Sequence, residues 1–376
     1  LAAGILKGEI APATVPIKTV VPRSLTLNLK TIPGFSPAWR PSDEDVASAD
    51  IVIEADGTRK TKTAAAAPAA TASAPQKKWN IYFLDFCDAD HVTGNHKGFF
   101  PKFKELGMVE GRDYEMHMSN AQGDMPTLAT MVEVTANAKP DLVLLTSTPT
   151  LQAVIKRIKD IPVVFSNVAN PIVAGAGKSY EDHLPNVTGI SSAHDCVGAV
   201  AIVKECLPNA KRIGTLFCPA ETNSEWTKDE LEKAAKAAGL DFVAVPSQTS
   251  ADVPSSAQAL CGSGIDAICQ IVDNLHDTGF ASIAAAAERA KLPLFTMNSK
   301  MVEERGAAVA WARDYESAGE DQAELAVRVL HGETSANMPF HSIRITRLVI
   351  DLKDANTRGM TIHESHHKRE DEVIPE

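Results

Sequence analysis

No run of eighteen apolar residues occurs in the 376-residue chain, so the sequence contains no helix able to cross a bilayer. The six cysteines (Cys87, Cys196, Cys206, Cys218, Cys261 and Cys269) include no CxxC pair, which argues against zinc or iron–sulfur ligation. Most of them sit in apolar runs such as IGTLFC and IDAICQIV, where buried free thiols are expected, with one or two disulfides as the alternative. No GxSxG elbow, HExxH pair or Walker-type GxxxxGK is present, and no nucleophile–base pair can be named. The sequence therefore points away from an enzyme and calls for no cofactor. A net charge of −11 argues against a nucleic-acid or anionic-membrane partner, since both need a basic face. Aromatics are sparse at 5%. There is no initiator Met and no basic-then-apolar leader, so the expectation is a processed chain or one begun inside a longer gene product.

What is there is an ordinary globular composition, 44% hydrophobic and 23% charged. The stretch Thr58 to Lys78, TRKTKTAAAAPAATASAPQKK, has no apolar periodicity and reads as a solvated linker. After it, short apolar runs alternate with helical patterns. Strands are expected at Asn80–Phe86, Asp113–Met118, Asp141–Leu145 and Pro162–Phe165, with helices at His96–Leu106, Met125–Ala138 and Pro149–Lys159 between them. The alternation restarts after Val187, with strands at Arg212–Phe217, Phe242–Val245, Ala267–Val272 and Leu294–Met297. Helices lie between these too, including one over Thr278–Lys291. Such βαβ series build parallel sheets, and two of this size imply two lobes. The fold class is α/β, two lobes, each a parallel sheet flanked by helices, with a ligand cleft between them.

The first 57 residues repeat the end of the chain. ILKGE (Ile5–Glu9) matches VLHGE (Val329–Glu333), and VPIKTVVPRSLTLNLK (Val15–Lys30) falls on MPFHSIRITRLVIDLK (Met338–Lys353). ADIVI (Ala49–Ile53) parallels EDEVI (Glu370–Ile374). A repeat of this kind indicates tandem domains. Residues 1–57 are then the C-terminal remnant of a preceding domain, 58–78 a linker, and 79–376 the complete unit. Its first lobe is expected at about 79–190 and 296–338, and its second at 191–295 and 339–376. The orphan segment would associate with the rest of a tandem protein or with another chain.

Two clusters invite a metal reading. His363, His366 and His367 in HESHH could share a helical face, but a solvated charged terminal helix explains them better. Asp85, Asp88 and Asp90 with His91 could hold a cation, though a polar cleft rim is the simpler reading. Stronger is the polar chemistry recurring where strands end, since ligands of parallel sheets sit beyond the strands' carboxyl ends. DLVLL ends in Thr146, Ser147 and Thr148, with Pro149 suited to a first helical turn. PVVF runs into Ser166, Asn167, Val168, Ala169 and Asn170. CQIV ends in Asp273 and Asn274, and LFTM in Asn298 and Ser299. Asp273 is the natural partner of a ligand ammonium group.

With these motifs in place the region from Trp79 onward resembles the bacterial ABC-transporter substrate-binding family that includes tryptophan- and tyrosine-binding members. The signposts are GFFPKFKELGMVEGRDYEMHMSNAQGD (Gly98–Asp124), KPDLVLLTSTPT (Lys139–Thr150), IPVVFSNVANPIVAGAG (Ile161–Gly177), NVTGISS (Asn186–Ser192), LPNAKRIGTLFCPAETNS (Leu207–Ser224) and RGAAVAWARDYESAG (Arg305–Gly319). The resemblance implies a type I periplasmic-binding fold that closes on a small molecule, an amino acid first among the expectations, and presents it to an ABC permease. It also implies a periplasmic or extracellular location, with a lipid anchor upstream as one option. Ligand contacts are implied at Thr146, Ser147 and Thr148, at Asn167, Ala169 and Asn170, at Glu221, Asn223 and Ser224, at Asp273 and Asn274, and at Asp314 and Tyr315, with Phe86 at the end of the first strand. The chain departs from the family at Asn170, where an Asp commonly precedes the proline. A ligand-sensing receptor module and an extracellular scaffold are the alternative roles.

Overall fold

The computed structural model describes residues 26–28, 51–53, 58–61, 77–304, 306–363 and 372–374. The chain divides into two compact units, Leu1–Gln76 and Lys77–Glu376. In the first, strands β1 (Thr26–Asn28) and β2 (Ile51–Ile53) pair in parallel, and β3 (Arg59–Thr61) adds antiparallel to β2. The stretch read as linker therefore opens with a strand. The backbone hydrogen bonds offered by β2 outweigh the poor strand composition of RKT.

The second unit contains two sheets. The first runs in spatial order β14 (His341–Ser342), β8 (Val187–Ser191), β7 (Val163–Val168), β6 (Leu142–Thr146), β4 (Trp79–Asp85) and β5 (Tyr114–Asn120), all parallel. The second runs β10 (Asp241–Pro246), β9 (Arg212–Phe217), β11 (Ala267–Gln270), β12 (Leu294–Thr296), β13 (Val309–Arg313), β15 (Thr346–Asp351) and β16 (Glu372–Ile374). Only the β13–β15 contact in it is antiparallel. The central strands β6 and β7 are buried along their whole length, as strands covered on both faces must be. Each sheet separates two apolar clusters, those of the first lobe centred on Phe83 and Phe165 and those of the second on Ile213 and Ile283.

The helices follow the expected alternation: α1 (Asp90–Glu105), α2 (Met125–Ala138), α3 (Thr148–Arg157), α4 (Cys196–Cys206), α5 (Thr222–Ala237), α6 (Val253–Cys261), α7 (Asn274–Thr278), α8 (Phe280–Ala290), α9 (Lys300–Glu303), α10 (Tyr315–Leu330) and α11 (Leu352–Thr357). The helix expected over Thr278–Lys291 is α8, and Gly279 separates it from the short α7, which the sequence did not lead one to expect.

The lobe boundaries differ from those read in the sequence. Residues 296–313 were expected in the first lobe, yet β12 pairs Phe295 with Val309 and lies in the second sheet, as does β13. The chain returns to the first lobe only at Asp314, runs through α10 and β14, and crosses back over 343–345. Periodicity reveals a strand but not the sheet that recruits it. At the C-terminus Glu372–Ile374 is a strand, not the end of a charged helix, while His366 and His367 lie outside the described residues. All six cysteines are free, five of them buried. Among the described residues no cluster of His, Cys, Asp or Glu could hold a metal ion, and no helix is long and apolar enough to cross a membrane.

Candidate functional site

The carboxyl ends of both sheets face each other, and the loops leaving them line a small polar cavity. The first lobe contributes His91 after β4, Ser147 and Thr148 after β6, and Asn167 and Ala169 at the end of β7. The second contributes Asn223 at the start of α5, with Val272, Asp273 and Asn274 after β11. Ser192, His194 and Tyr315 come from the segments where the chain crosses between lobes.

Two of these residues are held in unusual backbone. Ser147 has φ of 73° and Asn167 φ of 56°. Left-handed backbone is costly for non-glycine residues and gathers at binding sites. At Asn167 the β7–β8 register shifts between Phe165 and Val168, a bulge that frees the residue to turn inward. Its Nδ2 donates to the His91 carbonyl at 2.7 Å, tying the two first-lobe loops together. Thr148 Oγ1 accepts from Ala169 N at 3.3 Å.

The second-lobe wall is a buried charge network. Asp273 caps α7, accepting from His276 N at 2.7 Å, and lies 2.8 Å from His276 Nδ1. Ser224 Oγ donates to it at 2.6 Å. Glu221 accepts from Asn274 N (3.0 Å), Asn274 Nδ2 (2.6 Å), Leu275 N (3.0 Å) and Asn223 Nδ2 (3.1 Å), so it shapes the loop that carries Asn274. Burial, then the Asp273 charge, pushes the Glu221 carboxyl up to about 7. Burial also raises Asp273, but the His276 ring and the Ser224 hydroxyl hold it below its usual range. Burial pulls His276 down, and the Asp273 carboxylate outweighs that and raises it.

The sign of the resulting pH dependence is the same for Glu221 and His276. Each has a folded value above its unfolded one, so each contributes stability in acid that is lost as pH rises through the folded value. For Glu221 that window runs from about 4.5 to 7. The melting temperature of the ligand-free protein is therefore expected to fall as pH rises from about 4.5 to about 7, and Glu221→Gln to flatten that fall. A melting temperature that rises over this range in calorimetry would refute the assignment.

Side-chain contacts across the cleft bridge the lobes in this conformation. His91 Nδ1 and Asp277 Oδ2 are 3.1 Å apart, and Lys300 Nζ lies 3.7 Å from Asp90. Gln152 Nε2 donates to Thr222 Oγ1 at 3.2 Å, and Cys87 Sγ to Asn274 Oδ1 at 3.5 Å. Outside them is a wider groove lined by Phe86, Asp88, Pro149, Gln152 and Glu221 among others.

Of the residues expected in the site, Ser147, Thr148, Asn167, Ala169, Asn223, Asp273, Asn274 and Tyr315 line the inner cavity. Phe86 and Glu221 line the outer groove. Four others fall outside both. Thr146 turns its hydroxyl to Asp85 at 2.6 Å, and Ser224 is spent on Asp273. Asn170 Oδ1 accepts from Ile172 N and Val173 N, closing a turn. Asp314 caps α10 and pairs with Arg347 on the far side of the crossing. The sequence reading missed Ser192, His194 and Val272 as cavity residues. His91 was seen only as part of an acidic rim, and that rim is scattered: His91 inside, Asp88 on the groove, Asp90 beside Lys300.

Two α/β lobes meeting around a polar cavity, crossed more than once by the chain, define a two-lobed ligand-binding protein. Comparison with known proteins makes this specific. Residues 80–374 match the model of the ABC transporter substrate binding protein family, and the chain belongs to that family. It is a binding protein and not an enzyme. It is 30% identical over 276 residues to a tyrosine-binding protein of Clostridioides difficile (strain R20291), covering 73% of this chain and 79% of that protein. Among solved structures it is similar to the ABC domain in complex with L-Trp from Streptococcus pneumonia, at 28% identity and TM-score 0.76, over 79% of this chain and 100% of that one. It is also similar, at 28% identity over the same shares but TM-score 0.62, to a ligand-free, open substrate binding protein with adhesive properties from Clostridium difficile.

Proposed function

We propose that the protein captures an amino acid by closure of its two lobes and delivers it to an ABC permease outside the cytoplasm. The observation that carries this reading is the charge layout of the inner cavity. The second-lobe wall offers Asp273 and the Asn223 carbonyl to an ammonium group, and the first-lobe wall offers the hydroxyls of Ser147 and Thr148 to a carboxylate. The lobe-bridging contacts and the greater likeness to the L-Trp complex than to the open structure support a closed conformation here. Closure then shifts population toward a state the ligand prefers because it touches both lobes. The aromatic amino acids in the relatives' names make tyrosine and tryptophan the first ligands to try.

We also infer that residues 1–57 are the closing strands of a second binding unit. The β1–β2 pairing of Thr26 with Ile51 and Asn28 with Ile53 has the register of the β15–β16 pairing of Val349 with Glu372 and Asp351 with Ile374. These are the positions that the sequence repeat aligns.

Calorimetric titration with the common amino acids tests both readings. At least one is expected to bind with micromolar or tighter affinity and to contract the protein in small-angle scattering. Removal of residues 1–76 is expected to leave that affinity within threefold. Absence of binding by every amino acid would overturn the first reading, and loss of binding on truncation the second.

A further inference from the structure

Three polar atoms in the wall of the inner cavity have no protein partner among the described residues. Asn223 Oδ1, Tyr315 OH and His194 Nδ1 are all sealed from solvent without a hydrogen bond. An unsatisfied buried polar atom costs about 1–3 kcal/mol, so three around one cavity call for an occupant, water or ligand, to complete them. The orientation of Asn223 is settled by Glu221. The Glu221 carboxyl accepts from three other amide N–H groups, and Asn223 adds its Nδ2 to them at 3.1 Å, which leaves Oδ1 to the cavity. That acceptor stands with Asp273 on the side suited to an ammonium.

His194 and Tyr315 are different in place and chemistry. Both come from lobe crossings, His194 between β8 and α4 and Tyr315 directly after Asp314, so they sit on the hinge and belong to neither wall. Burial, with Arg313 and His91 nearby, pushes the His194 ring down to about 3, so it stays a neutral imidazole with one donor and one acceptor nitrogen. Burial pushes the Tyr315 hydroxyl well above its usual value, so it stays a phenol. A neutral donor–acceptor pair suits an uncharged polar group better than an ion. The lining around it carries no Phe, Trp or Leu.

We propose that His194 and Tyr315 form a specificity pair that reads an uncharged hydrogen-bonding group, a hydroxyl or amide, on the ligand away from its ammonium group. This rests on the amino-acid reading above. A site built to bond a polar group rejects the analogue that lacks it, because its own buried atoms then stay unpaired, and the discrimination can reach about 10⁴-fold. A purely apolar pocket separates such pairs only weakly.

The test is calorimetry on matched pairs: tyrosine against phenylalanine, glutamine against methionine, threonine against valine. The intact chain is expected to bind the polar member of at least one pair at least tenfold more tightly. Tyr315→Phe and His194→Phe should each shrink that preference to about threefold or less by weakening the polar member while leaving the apolar one unchanged or tighter. His194→Gln, which keeps a donor and an acceptor, should restore part of the preference. Equal affinity for both members in the intact chain overturns the proposal while leaving the amino-acid reading standing. Equal weakening of both members in the variants also overturns it, since that marks a merely structural role. Failure of every amino acid to bind removes the underlying reading and this one with it.

Discussion

Asp273→Asn is expected to lower amino-acid affinity at least tenfold and stability by about 3 kcal/mol, because the side chain serves two roles at once. Read from sequence alone, Asp273 is simply an ammonium partner. In the structure its carboxylate is already engaged: it accepts from Ser224 and from the His276 backbone, and lies against the His276 ring at 2.8 and 2.9 Å. Removing the charge leaves the buried His276 ring without its counterion, which is the costly way to break an internal pair. The amide also turns a donor toward groups that are themselves donors. Loss of a charge-assisted bond to the ligand accounts for the tenfold loss, since each 1.4 kcal/mol is a factor of ten. Adding His276→Gln to Asp273→Asn is expected to recover part of the melting temperature and none of the affinity. Were the single variant to keep full affinity while melting early, Asp273 would be scaffold only.

The strand-end rule explains why so much of the cavity could be read in advance. Ser147, Thr148, Asn167, Asp273 and Asn274 follow directly on apolar runs, and parallel strands of known direction must deliver such residues to one edge. The same rule overreached where local chemistry consumes the side chain. Asn170 bonds two amides of its own turn, and Asp314 bonds Glu316 N and Ser317 N at the start of a helix. Neighbouring residues with similar composition thus divide between ligand and scaffold according to backbone geometry that no pattern displays. The hinge residues were invisible for a different reason. His194 and Tyr315 meet the cavity only because the chain changes sheets beside them, and sheet membership is decided by long-range pairing such as Phe295 with Val309. The short strand β8, with Gly189 at φ of 155°, was missed because VTGIS lacks the length and alternation that mark a strand.

Gly98→Ala is expected to destabilise the protein by about 3 kcal/mol or more and to weaken ligand binding without touching the cavity. Helices α1 and α10 cross at reciprocal glycines. A Cβ on Gly98 would lie 1.9 Å from Glu316 O, and one on Gly319 would lie 1.9 Å from Asn95 O, in both cases against backbone that no rotamer change can move. The helices would have to separate by more than an ångström, opening the packing around Phe99 and Phe103 that holds α1 on the first sheet. The consequence for binding follows from what each helix carries at its start. His91 lies in the first turn of α1 and Tyr315 opens α10, and their rings face each other with centroids 5.8 Å apart beside the cavity. Parting the helices shifts both against the second lobe, and with them the His91–Asp277 contact that bridges the closed form. Thermal melting and calorimetry on Gly98→Ala and Gly319→Ala separately should give similar losses, because the two substitutions spoil one crossing. A melting loss equivalent to less than about 1 kcal/mol in either would show that the crossing can yield at small cost. The hinge geometry would then be set by the sheets alone.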